Sequence, residues 1–375
     1  MPLPELAALE GLTRQPLLLL PNRVYRVWQG GALLDRLQGK PRPEDSHFPE
    51  EWVGSTTVSR LPDRDPEEGL SRVALPDGSP VLLKSLVEAF PEAMLGAAHV
   101  ARYGRQLGVL CKLLDSAVRL PIQCHPDRSF ARQYLHSEFG KTEAWLIIDT
   151  RVINGVPPYI LFGFRDGVTE EEFRRAVRAQ DIPAQVAALN HLEVRPGQVY
   201  LVTAGTPHAI GPGVFMVEVQ EPTDLVVNSE YTVGEIRRTE AQCFMGLSFD
   251  LGMRCFNYRA AGMEYARRHT LLPRTLQEDS QGHEEILIGP ESTPCFGAAR
   301  LTVRGTTPDR DRGRCYIGIV TEGRGQLTGP GCDVALHPGT TLCIPAVSQH
   351  QAYRALPDAP LTLIKCFPPS GDDTR

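Results

Sequence analysis

The sequence predicts a mainly β protein with helical inserts, built around two related β-barrels. Three observations carry this. The 375 residues include 34 Gly and 32 Pro, a turn-rich composition. Short apolar runs recur between those turns, and in Phe215 to Gln220 alternation sets Phe215, Val217 and Val219 on one face and Met216, Glu218 and Gln220 on the other. The phrase Pro196-Gly197…Ala204…His208 is echoed by Pro338-Gly339…Pro345-Ala346…His350.

Taken in order, Val24 to Arg60 reads as short strands with turns at Gly30-Gly31 and Gly39. From Val81 to Leu120 the apolar residues Leu86, Ala89, Phe90, Met94, Leu95, Leu107, Leu110 and Leu113-Leu114 recur near helical spacing, and Pro121 stops the run. Ile122 to His125 reads as a strand with a turn at Pro126-Asp127, and Glu143 to Thr150 and Tyr159 to Phe164 as apolar strands. Thr169 to Leu189 is a second helical stretch, capped by Thr169 with Glu170, Glu171 and Glu172 at its positive end. Gln198 to Val202 and Phe215 to Gln220 are strands, and the turn Gly205-Thr206-Pro207 delivers His208. Arg267 to Gly282 is polar and linker-like, and Cys295 to Pro368 has the rhythm of a small β-barrel. The expected division is residues 1–260, with helical inserts near 86–118 and 169–190, and residues 261–375.

Composition removes several classes of function. With 42% apolar and 22% charged residues the chain reads as globular. A net charge of −6 argues against a nucleic-acid partner, and no apolar run is long enough to span a bilayer. Met1 to Gln15 lacks the pattern of a signal peptide. Nine Cys without CxxC pairs read as reduced thiols and a cytoplasmic location.

The most informative residues are Gln123, His125, Glu143 and His208, in Pro121-Ile-Gln-Cys-His-Pro-Asp127, Gly140-Lys-Thr-Glu-Ala-Trp145 and Ala204-Gly-Thr-Pro-His-Ala-Ile-Gly211. Two imidazoles, a carboxylate and an amide oxygen suffice for a divalent metal with a position left open, the arrangement needed for Lewis-acid chemistry on an oxygen-rich substrate. Gln123 and His125 are two apart on a strand and face the same way, as do Lys141 and Glu143. Cys124 then points to the opposite face and reads as packing. Considered singly, each residue has an ordinary reading as a hydrogen-bonding or structural side chain. Glu218 reads either as a rim residue or as a proton-transfer group near the metal.

In this order the phrases, with Lys112-Leu-Leu-Asp115 and Arg26-Val-Trp-Gln-Gly-Gly31, resemble the class I mannose-6-phosphate isomerases of the shorter bacterial type. The resemblance covers most of the chain. It implies two cupin (jelly-roll-like) β-barrels, the first catalytic and the second metal-free, with His337 and His350 isolated. It also implies zinc on Gln123, His125, Glu143 and His208, a substrate contact at Lys141 and the family's strand carboxylate at Glu218, with Glu218 or a metal-bound water as the base. Two positions depart from the family pattern. Pro121 replaces a Ser near the substrate phosphate, and Asn228 replaces an Arg ten residues after Glu218. Asn lacks the charge and donor fork of a guanidinium. Arg237 and Arg238 can substitute only where the loop folds back.

The function expected first is interconversion of mannose 6-phosphate and fructose 6-phosphate through an enediolate. Two alternatives stay open: an isomerase of another sugar, including an unphosphorylated one, and a catalytically silent sugar-binding cupin.

Overall fold

The computed structural model describes residues 9–61, 63–75, 77–348 and 351–369; His350 lies outside them. The protein is mainly β. One large sheet runs, in spatial order, Thr270–Leu271, Val199–Val202, Glu143–Thr150, Val214–Gln220, Leu110–Ser116, Glu50–Val53 and Arg23–Val24. Its companion is the five-stranded sheet Leu189–Glu193, Tyr159–Phe164, His208–Ile210, Gln123–Cys124 and Val227–Asn228. A second large sheet runs Leu17–Leu18, Thr341–Ile344, Tyr316–Glu322, Leu361–Phe367, Gly297–Val303, Gly282–Ile288 and Arg274–Glu278. A four-stranded sheet, Thr306–Pro308, Ala352–Ala355, Gly325–Gly329 and Cys332–Leu336, accompanies it.

The two large sheets share one topology. Numbering the central five strands of each by their order in the chain, both run 4-3-5-2-1 across the sheet, and each gains a short strand beside strand 4. Pro196-Gly197 and Pro338-Gly339 both precede strand 4.

Val214–Gln220 is central in its sheet, and all seven residues are buried. Phe215, Val217 and Val219 join a core that also contains Ile317, Ile319, Ile364 and Cys366 of the second large sheet. Met216, on the other face, joins Trp145, Phe162 and Tyr200. The alternation read from the sequence therefore separates two cores.

Several stretches differ from the sequence reading, three of them instructively. The expected helix to residue 118 ends at Tyr103, after helices Leu83–Ala89, Pro91–Leu95 and Ala97–Tyr103. Leu110–Ser116 is a strand with every residue buried, and burial on both faces gives an apolar run without alternation. The polar stretch 267–282 contains the edge strand Arg274–Glu278, polar because four of its five residues are exposed. Gly31 precedes a short helix, Ala32–Leu37, where only turns are expected. Elsewhere the local signals hold. Thr169 and Glu172 form a reciprocal capping box on helix Glu170–Ala179. Asp127 likewise caps a helix not read from the sequence, Arg128–Leu135, accepting from the Phe130 N–H at 2.7 Å.

All nine cysteines are unpaired and all but Cys332 are buried. No helix among the described residues is long and apolar enough to cross a membrane.

Candidate metal centre

The two sheets of the first pair bring the predicted residues together. His208 lies directly opposite Gln123 across the smaller sheet, and Asn228 opposite Gln123 on its other side. The strand Gln123–Cys124 is anchored one residue upstream. Glu230 accepts from the Ile122 N–H at 2.7 Å and holds Arg119 at 2.5 and 2.8 Å. Glu143 opens its strand in the large sheet. Gly140 lets its phrase abut Pro126-Asp127, since a Cβ there would lie 2.6 Å from the Pro126 oxygen. The Lys141 N–H donates to that oxygen at 3.0 Å. Gly205, with φ +83°, makes the turn before His208 and donates to the His125 carbonyl at 2.8 Å.

His125, Glu143 and His208 form the one cluster of possible metal-binding groups found among the described residues, their ligand atoms within 4.8 Å of one another. His125 Nε2 lies 3.2 Å from Glu143 Oε2, and His208 Nε2 3.4 Å from Glu143 Oε1. The tautomers are set from behind. His125 Nδ1 faces the Leu225 carbonyl at 2.9 Å and His208 Nδ1 faces the Thr206 carbonyl at 2.8 Å. Each Nδ1 is therefore the protonated nitrogen, and each Nε2 lone pair points at the carboxylate. Burial, with Lys141 adding to it, depresses His125 to about 4, and burial lowers His208 too. Burial opposes ionisation of Glu143, but Lys141 and His125 hold it well below the usual carboxylate range. Neutral imidazoles and an ionised carboxylate are the forms that bind a metal.

Lone pairs aimed at a carboxylate repel unless a cation lies between them, and Lys141 Nζ, 3.1 Å from His125 Nε2, relieves this for His125 alone. Glu143 Oε2 accepts no well-aligned hydrogen bond, although Lys141 Nζ is 2.9 Å away. These residues thus fit a metal ion. Gln123 Nε2 is 3.3 Å from His208 Nε2, and a half-turn of the amide presents its oxygen instead. His125, Glu143 and His208 are at most 1% exposed, whereas Gln123 is only half-buried and marks the accessible side.

Beside this cluster runs a row in which the sequence reading gives a role to Glu218 alone. In register across the large sheet lie Trp52, Lys112, Glu218, Trp145 and Tyr200. Lys112 Nζ is 2.9 Å from Glu218 Oε2 and 4.0 Å from Glu50 Oε2. Arg26 pairs with Glu50 at 2.9 Å and Asp224 at 3.6 Å, and stacks 5.1 Å over Trp52. Burial opposes ionisation of Asp224, but Arg26 and Lys112 hold it at about 2. The signal for Lys112 was visible: a lone cation inside Leu110-Cys-Lys-Leu-Leu114.

Both departures fall near the site. Asn228, 4% exposed, neighbours Gln123, and Pro121, buried, immediately precedes the anchored Ile122. The chain after Asn228 forms the hairpin Thr232–Val233/Ile236–Arg237. It sets Arg238 against the Glu230 carbonyl at 3.0 Å, while Arg237 is exposed. Cys124 packs in a core with Leu161 and Phe164, as expected for the face opposite Gln123.

No protein-family model matches the chain. It is 28% identical over 217 residues to mannose-6-phosphate isomerase ManA of Bacillus subtilis, covering 57% of this chain and 60% of that protein. It is 30% identical over 173 residues to the mannose-6-phosphate isomerase of Streptococcus mutans, covering 45% and 51% respectively. The matched region thus spans less than two thirds of these relatives' own length. In fold, the crystal structure of mannose 6-phosphate isomerase from Bacillus subtilis aligns with TM-score 0.71 at 20% identity, over 94% of this chain and 99% of that one. A mutant of phosphomannose isomerase from Salmonella typhimurium aligns with TM-score 0.70 at 17% identity, over 95% and 100%. Over part of its length the chain is thus similar in sequence to mannose-6-phosphate isomerases, and its fold is that of the solved phosphomannose isomerase structures.

Proposed function

We propose that the chain is a metal-dependent aldose–ketose isomerase interconverting mannose 6-phosphate and fructose 6-phosphate. The observation that carries this reading is the convergence of two imidazole lone pairs on Glu143, with a second carboxylate, Glu218, on the neighbouring strand. The names of the sequence relatives support the substrate.

In this reading Gln123, His125, Glu143 and His208 hold one divalent ion, zinc. The bound ion supplies Lewis-acid stabilisation of the oxyanion that develops on the open-chain sugar. Glu218 takes the proton from C2 at a carboxylate oxygen and returns it at C1, while the hydroxyl proton on O2 passes to O1. Lys112, 2.9 Å from Glu218, compensates its charge in the buried site. Lys141, beside Glu143, donates to a sugar hydroxyl. The half-buried side at Gln123 admits the sugar, so Asn228 meets its distal part.

We also assign the catalytic domain to residues 1–260 and a second, metal-free domain to residues 261–375, each a cupin barrel. The separate sheet pairs support this division, with Leu17–Leu18 and Thr270–Leu271 crossing it as edge strands. Nine unpaired thiols support a cytoplasmic location.

The test is isomerisation of mannose 6-phosphate by the zinc-loaded protein, alongside free mannose and other sugar phosphates. Turnover that is lost in His208→Ala supports the reading. Turnover of a free sugar above mannose 6-phosphate would reassign the substrate and trace the change to Asn228 and Pro121. Sugar binding without turnover would overturn the isomerase reading.

A further inference from the structure

One indole N–H lies between the two carboxylates on which the proposed chemistry depends. Trp145 is fully buried, and its Nε1 is 3.1 Å from Glu143 Oε1 and 3.3 Å from Glu218 Oε1. An indole has a single donor, so one hydrogen is shared between two acceptors. The other oxygen of each carboxylate faces a lysine: Lys141 at 2.9 Å from Glu143 Oε2 and Lys112 at 2.9 Å from Glu218 Oε2. The ring is wedged edge-on against His208 and Phe162, with centroids 5.3 and 6.3 Å away.

The arrangement follows from strand periodicity. Glu143 and Trp145 are two apart and share a face, and Glu218 is the cross-strand partner of Trp145. The next-but-one strand repeats the device, with Trp52 donating to Glu50 at 2.7 Å.

Building on the isomerase reading above, we infer that Trp145 is a positioning residue that couples metal occupancy at Glu143 to the aim of Glu218. When a cation draws on Glu143, Oε1 becomes the weaker acceptor and the shared hydrogen moves toward Glu218. The carboxylate is then held between the indole on one oxygen and Lys112 on the other. Without the indole N–H only Lys112 restrains Glu218, and the carboxylate turns toward it. The substrate is still bound, but the proton carrier is misaimed, and such losses appear in turnover.

The test compares zinc-loaded wild type with Trp145→Phe, which keeps a ring and removes the donor. The expected result is unchanged metal content, KM within about twofold and kcat reduced about tenfold or more. Unchanged kcat, or metal and kcat lost together, would overturn the inference. A second readout needs neither turnover nor that variant. The indole N–H resonances of 15N-tryptophan-labelled protein are assigned by elimination from Trp28→Phe and Trp52→Phe. The Trp145 resonance is expected to move on zinc loading and in Glu218→Gln. A resonance indifferent to both would refute the coupling. An inactive wild type would sink the isomerase reading while the resonance still decides the coupling.

Discussion

In the sheet that contains Glu218, the last of the central five strands in chain order carries a buried anion; in the sheet that contains Lys365, the strand in the same place carries a buried cation. Register makes the comparison residue by residue. Glu218 faces Trp145 and Lys112, and Lys365 faces Gly318 and Ala299. By the same ladders Glu50 corresponds to Glu284 and Glu143 to Tyr316. The carboxylate on the first of these strands is kept, while the lysine moves from Lys112 on one strand to Lys365 on another.

The move changes what the interior can do. Lys365, 1% exposed, lies 3.1, 3.2 and 2.9 Å from Glu284, Asp309 and Asp311. Tyr316 donates to Asp309 at 2.6 Å and meets Tyr353 at 2.7 Å. Burial pulls the Lys365 pKa down, but the carboxylates more than offset it, so the ammonium stays charged. A tethered cation therefore completes this cluster. In the first sheet pair Lys141 meets His125 Nε2 at 3.1 Å and Glu143 at 2.9 Å, and a second imidazole, His208, also converges on the carboxylate. Buried charge alone does not make a metal site; imidazole lone pairs that converge on one carboxylate do.

The comparison breaks most directly at His208. His208→Ala is expected to remove the metal and lower isomerase activity by about a thousandfold or more, checked by metal analysis and steady-state kinetics. If metal is retained, the lone-pair argument fails. Next comes Lys365→Met, which leaves three buried carboxylates around an apolar side chain. A loss of about 3–5 kcal/mol in urea unfolding is expected, with metal content unchanged in the folded protein. Lys112→Met should cost less, because Arg26 remains against Glu50. Equal losses would mean that the two lysines do the same job. Tyr316→Phe removes the hydroxyl between Asp309 and Tyr353, at about 1–3 kcal/mol in the same assay, without a change in KM.

A further effect is a slope with pH. Asp115 accepts from the Gly31 and Leu33 N–H groups at 3.1 and 2.6 Å, yet burial raises its pKa to about 6. Its folded value lies above the unfolded value, so the folded state binds the extra proton between about pH 4 and 6. Stability from this group is full below that window and falls as pH rises through it, by at most about 1.4 kcal/mol per pH unit. Asp115→Asn should flatten this contribution, measured by urea unfolding from pH 4 to 7.

Much of this was legible in the sequence because its signals are local. The alternation of Phe215 to Gln220 gave the two-faced strand, and the i, i+2 pairs Gln123/His125 and Lys141/Glu143 gave shared faces. Thr169 with Glu172 gave a capped helix. The strand Leu110–Ser116 was missed because a run buried on both faces carries no period to distinguish it from a helix. Lys112 and Trp145 acquired no role, since each depends on a partner strand whose register no local pattern encodes.

The sequence by itself therefore determined the mainly β character, the candidate ligands and the faces they share, because side-chain periodicity follows from backbone geometry alone. Only the tertiary structure decided that Glu218, Trp145 and Lys112 form one row beside the ligands, and that Lys365 fills the equivalent space in the second sheet. Those facts depend on pairing strands separated by about a hundred residues in Lys112/Glu218, where register is fixed by the burial of both faces at once.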